Sequence, residues 1–334
     1  MIAFDPRTLI ANLPSLDVAR PSDFGGYAAF CRFYSLEFEG LTRSQHLGLI
    51  AVDGEQIAVH LFRPPHPRGS LLIVHGYLDH HGLYRHLIRY GLERHLNVVC
   101  FDLPGHGLSS GARASIGDFE QYQRVFQALL GKLGDWQLCR PLHLLGQSTG
   151  GAIINQFLLT QTRAAQSPKI DGRIALLAPL VRPASWAGVR LAYALLSRWK
   201  NAVKRDFAPN SHDPVFNAFL ARDPLQSTLI STAWVGAMIR WLALFQALPA
   251  ADYQPLLVQG QQDATVDWRY NLPLLQQKFP RLKTLLIPAA RHQLANETAA
   301  IRQQYLDWLD QQGFGQCPAL KTTNKTESDL CPGY

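Results

Sequence analysis

The sequence predicts an α/β domain, a mostly parallel sheet covered by helices on both faces and interrupted once by a helical insertion. Short apolar runs at 70–74, 97–101, 141–145, 173–177, 255–258 and 282–287 mostly alternate with stretches of helical character at 83–95, 119–133, 150–159 and 272–279, and a further one at 297–310 follows the last run. Strands separated by helices pair in parallel, because each helix carries the chain back across the sheet. The rhythm breaks only between Arg182 and Ala250. A third observation fixes attention on one turn: Gly146-Gln147-Ser148-Thr149-Gly150 lies where an apolar run meets a helical stretch, and G-x-S-x-G at such a junction lifts a serine above a parallel sheet.

At 334 residues with 47 % hydrophobic content, the chain has room for one sizeable α/β domain with an insertion, or for two small domains. The formal charge is +7, and most of the excess sits in the insertion. There eight Lys or Arg (Arg182, Arg190, Arg198, Lys200, Lys204, Arg205, Arg222, Arg240) face three Asp and no Glu. The five cysteines show no C-x-x-C spacing, so neither a zinc cluster nor a disulfide framework is expected. Cys317 and Cys331 could pair on oxidation, but free thiols are the expectation. No basic segment followed by an apolar one opens the chain, which makes a cytoplasmic address the default.

Residues 1–46 carry several aromatics and no strong motif, and read as an N-terminal extension packed on the domain. Leu47 to Val52 and Gln56 to Phe62, joined through Asp53-Gly54, form a hairpin signal that starts the sheet antiparallel. The core then occupies 47–181 and 251–312, and the insertion 182–250. Within the insertion Val189, Ala192, Leu196, Trp199 and Val203 recur in steps of three and four, with Arg190, Arg198, Lys204 and Arg205 on the other side. That is an amphipathic helix with a basic outer face. A second face runs through Trp234, Met238, Trp241 and Phe245. Thr228 to Ala250 is apolar enough to raise a membrane span, but Arg240 lies inside it and Pro249 ends it, so a helix covering a pocket is expected instead. The tail, 313–334, is polar and expected to be disordered.

A serine hydroxyl is a weak nucleophile at neutral pH and needs a base, which in turn needs an orienting carboxylate. Ser148 alone admits a bland reading as a helix N-cap. Asp263 follows the run Leu256 to Gly260, and His292 follows Thr284 to Ile287. The order Ser, Asp, His with each at a strand end is the order of strand-to-helix hydrolases, at the sheet edge where open α/β folds bind ligands. Asp267 competes with Asp263 but lies further from its strand end, and His292 could be an ordinary loop imidazole. Backbone N–H groups must also receive the developing oxyanion. Thr149, after the nucleophile, and Tyr77, in the loop His75-Gly76-Tyr77, are the candidates.

These stretches resemble a known family. His75-Gly76-Tyr77-Leu78-Asp79-His80-His81-Gly82-Leu83-Tyr84, Asp102-Leu103-Pro104-Gly105-His106-Gly107-Leu108-Ser109-Ser110-Gly111, Gly146-Gln147-Ser148-Thr149-Gly150, Gly260-Gln261-Gln262-Asp263 and Ala290-Arg291-His292 resemble, in order, the lysophospholipase and monoacylglycerol lipase branch of the α/β-hydrolases. The resemblance runs from about Leu47 to Asp310. It implies the α/β-hydrolase fold, Ser148, Asp263 and His292 as the triad, the N–H groups of Tyr77 and Thr149 as the oxyanion hole, and 182–250 as a helical cap. Leu78 and Thr149 stand where the family usually has Gly and an apolar residue such as Met.

His75 to His80 is also similar to an H-x-H-x-D-H metal signature, but Tyr77 occupies a ligand position that needs imidazole. No metal and no cofactor are expected. Trp186, Trp199, Trp234 and Trp241 are candidate pocket-lining or core residues. A basic, apolar cap suits peripheral contact with an anionic membrane, and no nucleic-acid motif appears. The expected activity is serine-dependent ester hydrolysis of single-acyl lipids, lysophospholipid or monoacylglycerol, through an acyl-enzyme. The alternatives are an esterase or amidase of small soluble substrates, or a silent scaffold binding a hydrophobic ligand.

Overall fold

A computed structural model describes residues 4–161, 170–205 and 209–316. In chain order the elements are α1 (Pro6–Asn12), α2 (Tyr27–Tyr34), β1 (Ser44–Val52), β2 (Glu55–Arg63), β3 (Gly69–Val74), α3 (Arg85–Glu93), β4 (Leu96–Phe101), α4 (Phe119–Asp135), β5 (Leu142–Gln147), α5 (Thr149–Thr160) and β6 (Ile174–Leu177). They continue as α6 (Trp186–Leu196), β7 (Ala202–Lys204), α7 (Pro214–Leu220), β8 (Leu229–Ser231), α8 (Thr232–Ala247), β9 (Leu256–Gly260), α9 (Trp268–Lys278), β10 (Lys283–Ile287) and α10 (Ala299–Gln311).

Eight strands form one sheet in the order β1-β2-β4-β3-β5-β6-β9-β10. The β1–β2 and β2–β4 pairs are antiparallel and all others parallel. The Asp53-Gly54 turn has φ of 54° and 80°, the left-handed pair that matches the twist of a two-residue hairpin. Alternation along the central strands feeds two cores. Leu72, Val74, Val99, Phe101 and Leu144 face one side with Phe126 and Phe157; Leu71, Ile73, Val98, Cys100 and Leu145 face the other with Leu87, Tyr305 and Leu309. That two-sided burial is why these strands read as continuous apolar runs.

The extension joins the second core through Phe4, Leu9, Phe30 and Tyr34. It also bonds along the outer strand, with Leu16 N–H donating to Leu49 O and Leu49 N–H to Pro14 O, which covers part of an edge otherwise open to pairing. Two helical boundaries differ from the sequence pattern. The stretch from Leu83 divides into a 3₁₀ turn, His81–Tyr84, and α3. Helix α9 starts four residues early because Asp267 caps it, accepting from Tyr270 N–H, and it keeps Pro273 inside. At the C-terminal end packing extends past the expected boundary at 312: Phe314 is fully buried beside Tyr90 and His143. Residues 317–334, including Cys317 and Cys331, lie outside the described residues. Cys31 and Cys100 are buried free thiols. Cys139 is disulfide-bonded.

Between β6 and β9 the chain leaves the sheet to form α6, α7, α8 and a two-stranded ribbon of β7 with β8. Here the expected periodicity fails in part. Helix α6 stops at Leu196 and 202–204 is a strand, so a helical wheel drawn through Trp199 to Arg205 assigns the wrong faces. Trp199, expected inside, is 85 % exposed. Arg205, expected outside, is half-buried and bonds Gln226 Oε1 at 2.6 Å. Among the described residues no helix is long and apolar enough to cross a membrane.

Candidate active site

Strand order places the site. From β3 the chain passes to β4 on one side, and β5 lies on the other, so the loops after β3 and β5 diverge and leave a crevice at their carboxyl ends. The first carries Tyr77 and the second Ser148. Ser148 has φ 52° and ψ −113°, a strained conformation of the sort that costs about 1–3 kcal/mol and persists only where its surroundings enforce it. Its N–H donates to Leu177 O at 2.9 Å and its carbonyl accepts from Ala152 and Leu180. Both motif glycines are required by contact. A Cβ on Gly146 would meet the Gly150 carbonyl carbon at 2.6 Å, and one on Gly150 would meet Val74 O at 2.0 Å. Gly150→Ala is therefore expected to destabilise the fold by about 1–3 kcal/mol or more, read as a lowered Tm; an unchanged Tm would contradict the packing of α5 on β3.

Ser148, His292 and Asp263 form one hydrogen-bonded line. His292 Nε2 lies 3.1 Å from Ser148 Oγ, and His292 Nδ1 lies 2.8 Å from Asp263 Oδ2. Asp263 Oδ1 accepts from the N–H groups of Thr265 and Val266 at 2.8 and 3.0 Å, and Gln259 Nε2 donates to Oδ2 at 3.0 Å. All three are at most 8 % exposed. Burial opposes charge on both partners, yet the opposite charge and the shared hydrogen bond prevail: His292 titrates above its usual 6.5 and Asp263 below the usual carboxylate value. Asp267 is elsewhere, bound to Arg182 at 2.6 Å.

The N–H of Thr149 opens α5, where no intrahelical acceptor exists, and Tyr77 N–H is not among the backbone donors bonded within the described residues. A Cβ on Gly76 would come 3.2 Å from Ser148 Cβ, so a glycine is what lets the Tyr77 peptide approach the serine. Leu78 takes φ 68°. The position where the resemblance calls for Gly is thus one that needs Gly's backbone freedom, and leucine holds it at a cost of about 1–2 kcal/mol.

A family model described as serine aminopeptidase, S33, matches residues 65–299, well over half of the chain. The chain belongs to this α/β-hydrolase family. Monoacylglycerol lipase of Mycolicibacterium smegmatis is 33% identical over 114 residues, 34% of this chain and 40% of that protein. Monoglyceride lipase of Homo sapiens is 28% identical over 285 residues, 79% of this chain and 89% of that protein. The chain spans about two fifths of the length of the first curated relatives it matches. A soluble variant of monoglyceride lipase from Saccharomyces cerevisiae superposes with a TM-score of 0.68 at 18% identity, over 82% of this chain and 97% of that one, a likeness of fold.

Several side chains that organise this S33 hydrolase site carry no signal in sequence spacing. The variable residue of the elbow, Gln147, donates to His292 O at 2.8 Å and accepts from Ala295 N–H at 3.1 Å, tying the histidine loop to β5. The insertion reaches the site through Tyr77, whose ring stacks on Trp234 at 3.7 Å and whose hydroxyl donates to Ala114 O and accepts from Ser231 N–H. Of the candidate tryptophans, Trp234 and Trp241 are core, with indole N–H groups on Tyr122 Oη and Gln156 Oε1. Trp186 is half-buried.

The histidines near the crevice are tied to carboxylates and backbone. His75 accepts from Leu103 N–H at 2.9 Å and sits beside Gly76 O at 2.7 Å, and burial pushes its pKa down to about 3. His81 lies 2.8 Å from Asp102 Oδ1, and Asp102 also accepts from Leu108 N–H, so that motif holds the loop after β4. His80 lies 2.8 Å from Asp223 of the insertion, which also accepts from Tyr34 Oη.

Proposed function

We propose that the protein is a serine hydrolase cleaving carboxylic esters of single-acyl lipids, monoacylglycerol or lysophospholipid, through an acyl-enzyme. The observation that carries this is the Ser148–His292–Asp263 line beside the N–H groups of Tyr77 and Thr149, which have no acceptor among the described residues. Ser148 Oγ attacks the ester carbonyl as His292 Nε2 takes its proton, and Asp263 holds the imidazole with its other N–H toward itself. The carbonyl oxygen, now negative, receives the two backbone N–H groups. As the C–O bond breaks, His292 returns the proton to the leaving alcohol. Water then repeats the sequence and frees the acid. The relatives named monoacylglycerol lipase and monoglyceride lipase support a lipid ester over the peptide that the family description names.

The test compares monoacylglycerol, lysophospholipid and a short soluble ester, with kcat/KM followed across about pH 5 to 9. His292 acts as base only when neutral, and its pKa is raised; activity should therefore fall on acidification with an inflection above 6.5. An inflection below 6.5, or no preference for the lipid esters over the soluble one, counts against this reading.

The insertion 182–250 is proposed as a cap that roofs Ser148, supported by the Trp234–Tyr77 stack, and as the surface that meets an anionic bilayer. On it Leu191, Leu195 and Trp199 are 62, 64 and 85 % exposed, with Arg190, Arg198, Lys200 and Lys204 exposed beside them. Apolar side chains among cations bind an interface by burial plus attraction to anionic lipid. Sedimentation with phosphatidylglycerol vesicles should exceed that with phosphatidylcholine. Leu195→Ser with Trp199→Ala should weaken it by about fivefold or more, leaving soluble-ester turnover unchanged; equal sedimentation of all forms would refute the surface.

A further inference from the structure

Asp79 has no place in the Ser148–His292–Asp263 line, yet it is buried on the loop after β3 where that loop meets the one bearing His292. Its Oδ2 accepts from Tyr84 Oη at 2.9 Å, and the same hydroxyl oxygen accepts from Gly76 N–H at 3.1 Å. The hydroxyl can donate only once, so the carboxylate takes its proton and leaves the lone pairs to the Gly76 peptide. Asp79 N–H closes the turn on Gly76 O at 3.1 Å. From the opposite side Gln293, the residue after His292, directs Nε2 to both carboxylate oxygens at 3.1 Å.

Building on the serine-hydrolase reading above, we infer that Asp79 is a positioning residue: through Tyr84 it fixes the His75–Gly76 peptide, through its own N–H it holds the carbonyl of the following peptide, whose N–H is that of Tyr77, and through Gln293 it anchors the loop bearing His292, adding its charge to that of Asp263. A carboxylate here does two separable things. Its hydrogen bonds fix the spacing between an oxyanion donor and the base, where an error of about 1 Å costs orders of magnitude in rate. Its charge favours protonated His292, as a nearby opposite charge does. The charged groups acting on His292 are Asp263 and Asp79. Burial raises the Asp79 carboxyl above its usual value, against the hydrogen bonds from Gln293 and Tyr84 and the charges of Arg205 and His80 that favour its ionised form. His80 is itself matched by Asp223.

Two variants separate the effects, read as the rate of inactivation by a fluorophosphonate across pH, which needs no natural substrate. Asp79→Asn removes the charge and should move the acid limb about half a pH unit or more toward lower pH. Tyr84→Phe keeps the charge and cuts the link to Gly76; inactivation should slow about tenfold with the acid limb in place, and kcat on an ester should fall with KM within about twofold. Thermal melts check that both fold, and if Asp79→Asn does not, Tyr84→Phe decides alone. An unmoved limb in Asp79→Asn overturns the electrostatic half, and wild-type reactivity in Tyr84→Phe overturns the tether. A wild-type protein that is not inactivated overturns the serine-hydrolase reading instead, a result distinct from either.

Discussion

Replacing Ser148 with Ala is expected to lower ester hydrolysis by about 10⁴-fold or more and to abolish labelling by a fluorophosphonate. The fold should survive the change. Among the described residues the Ser148 side chain makes one hydrogen bond, to His292 Nε2, while its backbone bonds to Leu177, Ala152 and Leu180 do not involve Oγ. Alanine at φ 52° meets the same left-handed penalty that serine already bears. A loss of activity with an unchanged Tm would therefore report on chemistry alone. Labelling that persists in Ser148→Ala would place the nucleophile elsewhere and remove the proposed function with it.

The second large effect belongs to Asp263→Asn, which should cost about 10⁴-fold in kcat. Four donors converge on the Asp263 carboxylate: Thr265 N–H, Val266 N–H, Gln259 Nε2 and His292 Nδ1. An amide has one oxygen. With that oxygen kept on the two backbone N–H groups, the amide nitrogen faces His292 and obliges Nδ1 to accept, which places the imidazole proton on Nε2 against Ser148. The base then points a proton at the hydroxyl it must deprotonate. The negative charge that raises His292 is lost as well, so any residual activity should show its acid limb at lower pH. Asp267→Asn is the matched control. Asp267 binds Arg182 and caps α9, so its removal should reduce stability and leave kcat within about twofold. Comparable losses of kcat in the two variants would show that Asp263 does not orient the histidine.

Much of this was legible in the chain because the relevant physics is local. A central parallel strand is apolar on both faces, and a turn where a Cβ on Gly150 or Gly146 would come within 2.0 to 2.6 Å of neighbouring backbone tolerates only glycine there. Ser148, Asp263 and His292 each follow such a run, and order plus strand ends sufficed to nominate them. The insertion was read less well. A helical period extended past Leu196 puts Trp199 and Arg205 on opposite faces from those they occupy, because the chain there turns into a strand whose partner, β8, lies some 25 residues on. Periodicity cannot register such a pairing, since nothing near 202–204 encodes Leu229 to Ser231.

The sequence by itself determined the alternation of strands and helices, the elbow at Ser148 and the identity of the groups at each strand end, because periodicity, glycine requirements and residue chemistry act within a few positions. Only the tertiary structure decided which groups meet: that Asp263 and not Asp267 reaches His292, that Gln147 and Gln293 hold the histidine loop, that Asp79 on the loop after β3 meets a loop more than 200 residues away, and that Arg205 turns inward while Trp199 faces solvent. Those outcomes depend on strand order and on hydrogen-bond partners distant in the chain, and a buried carboxylate or amide takes whichever partner the fold brings within about 3 Å.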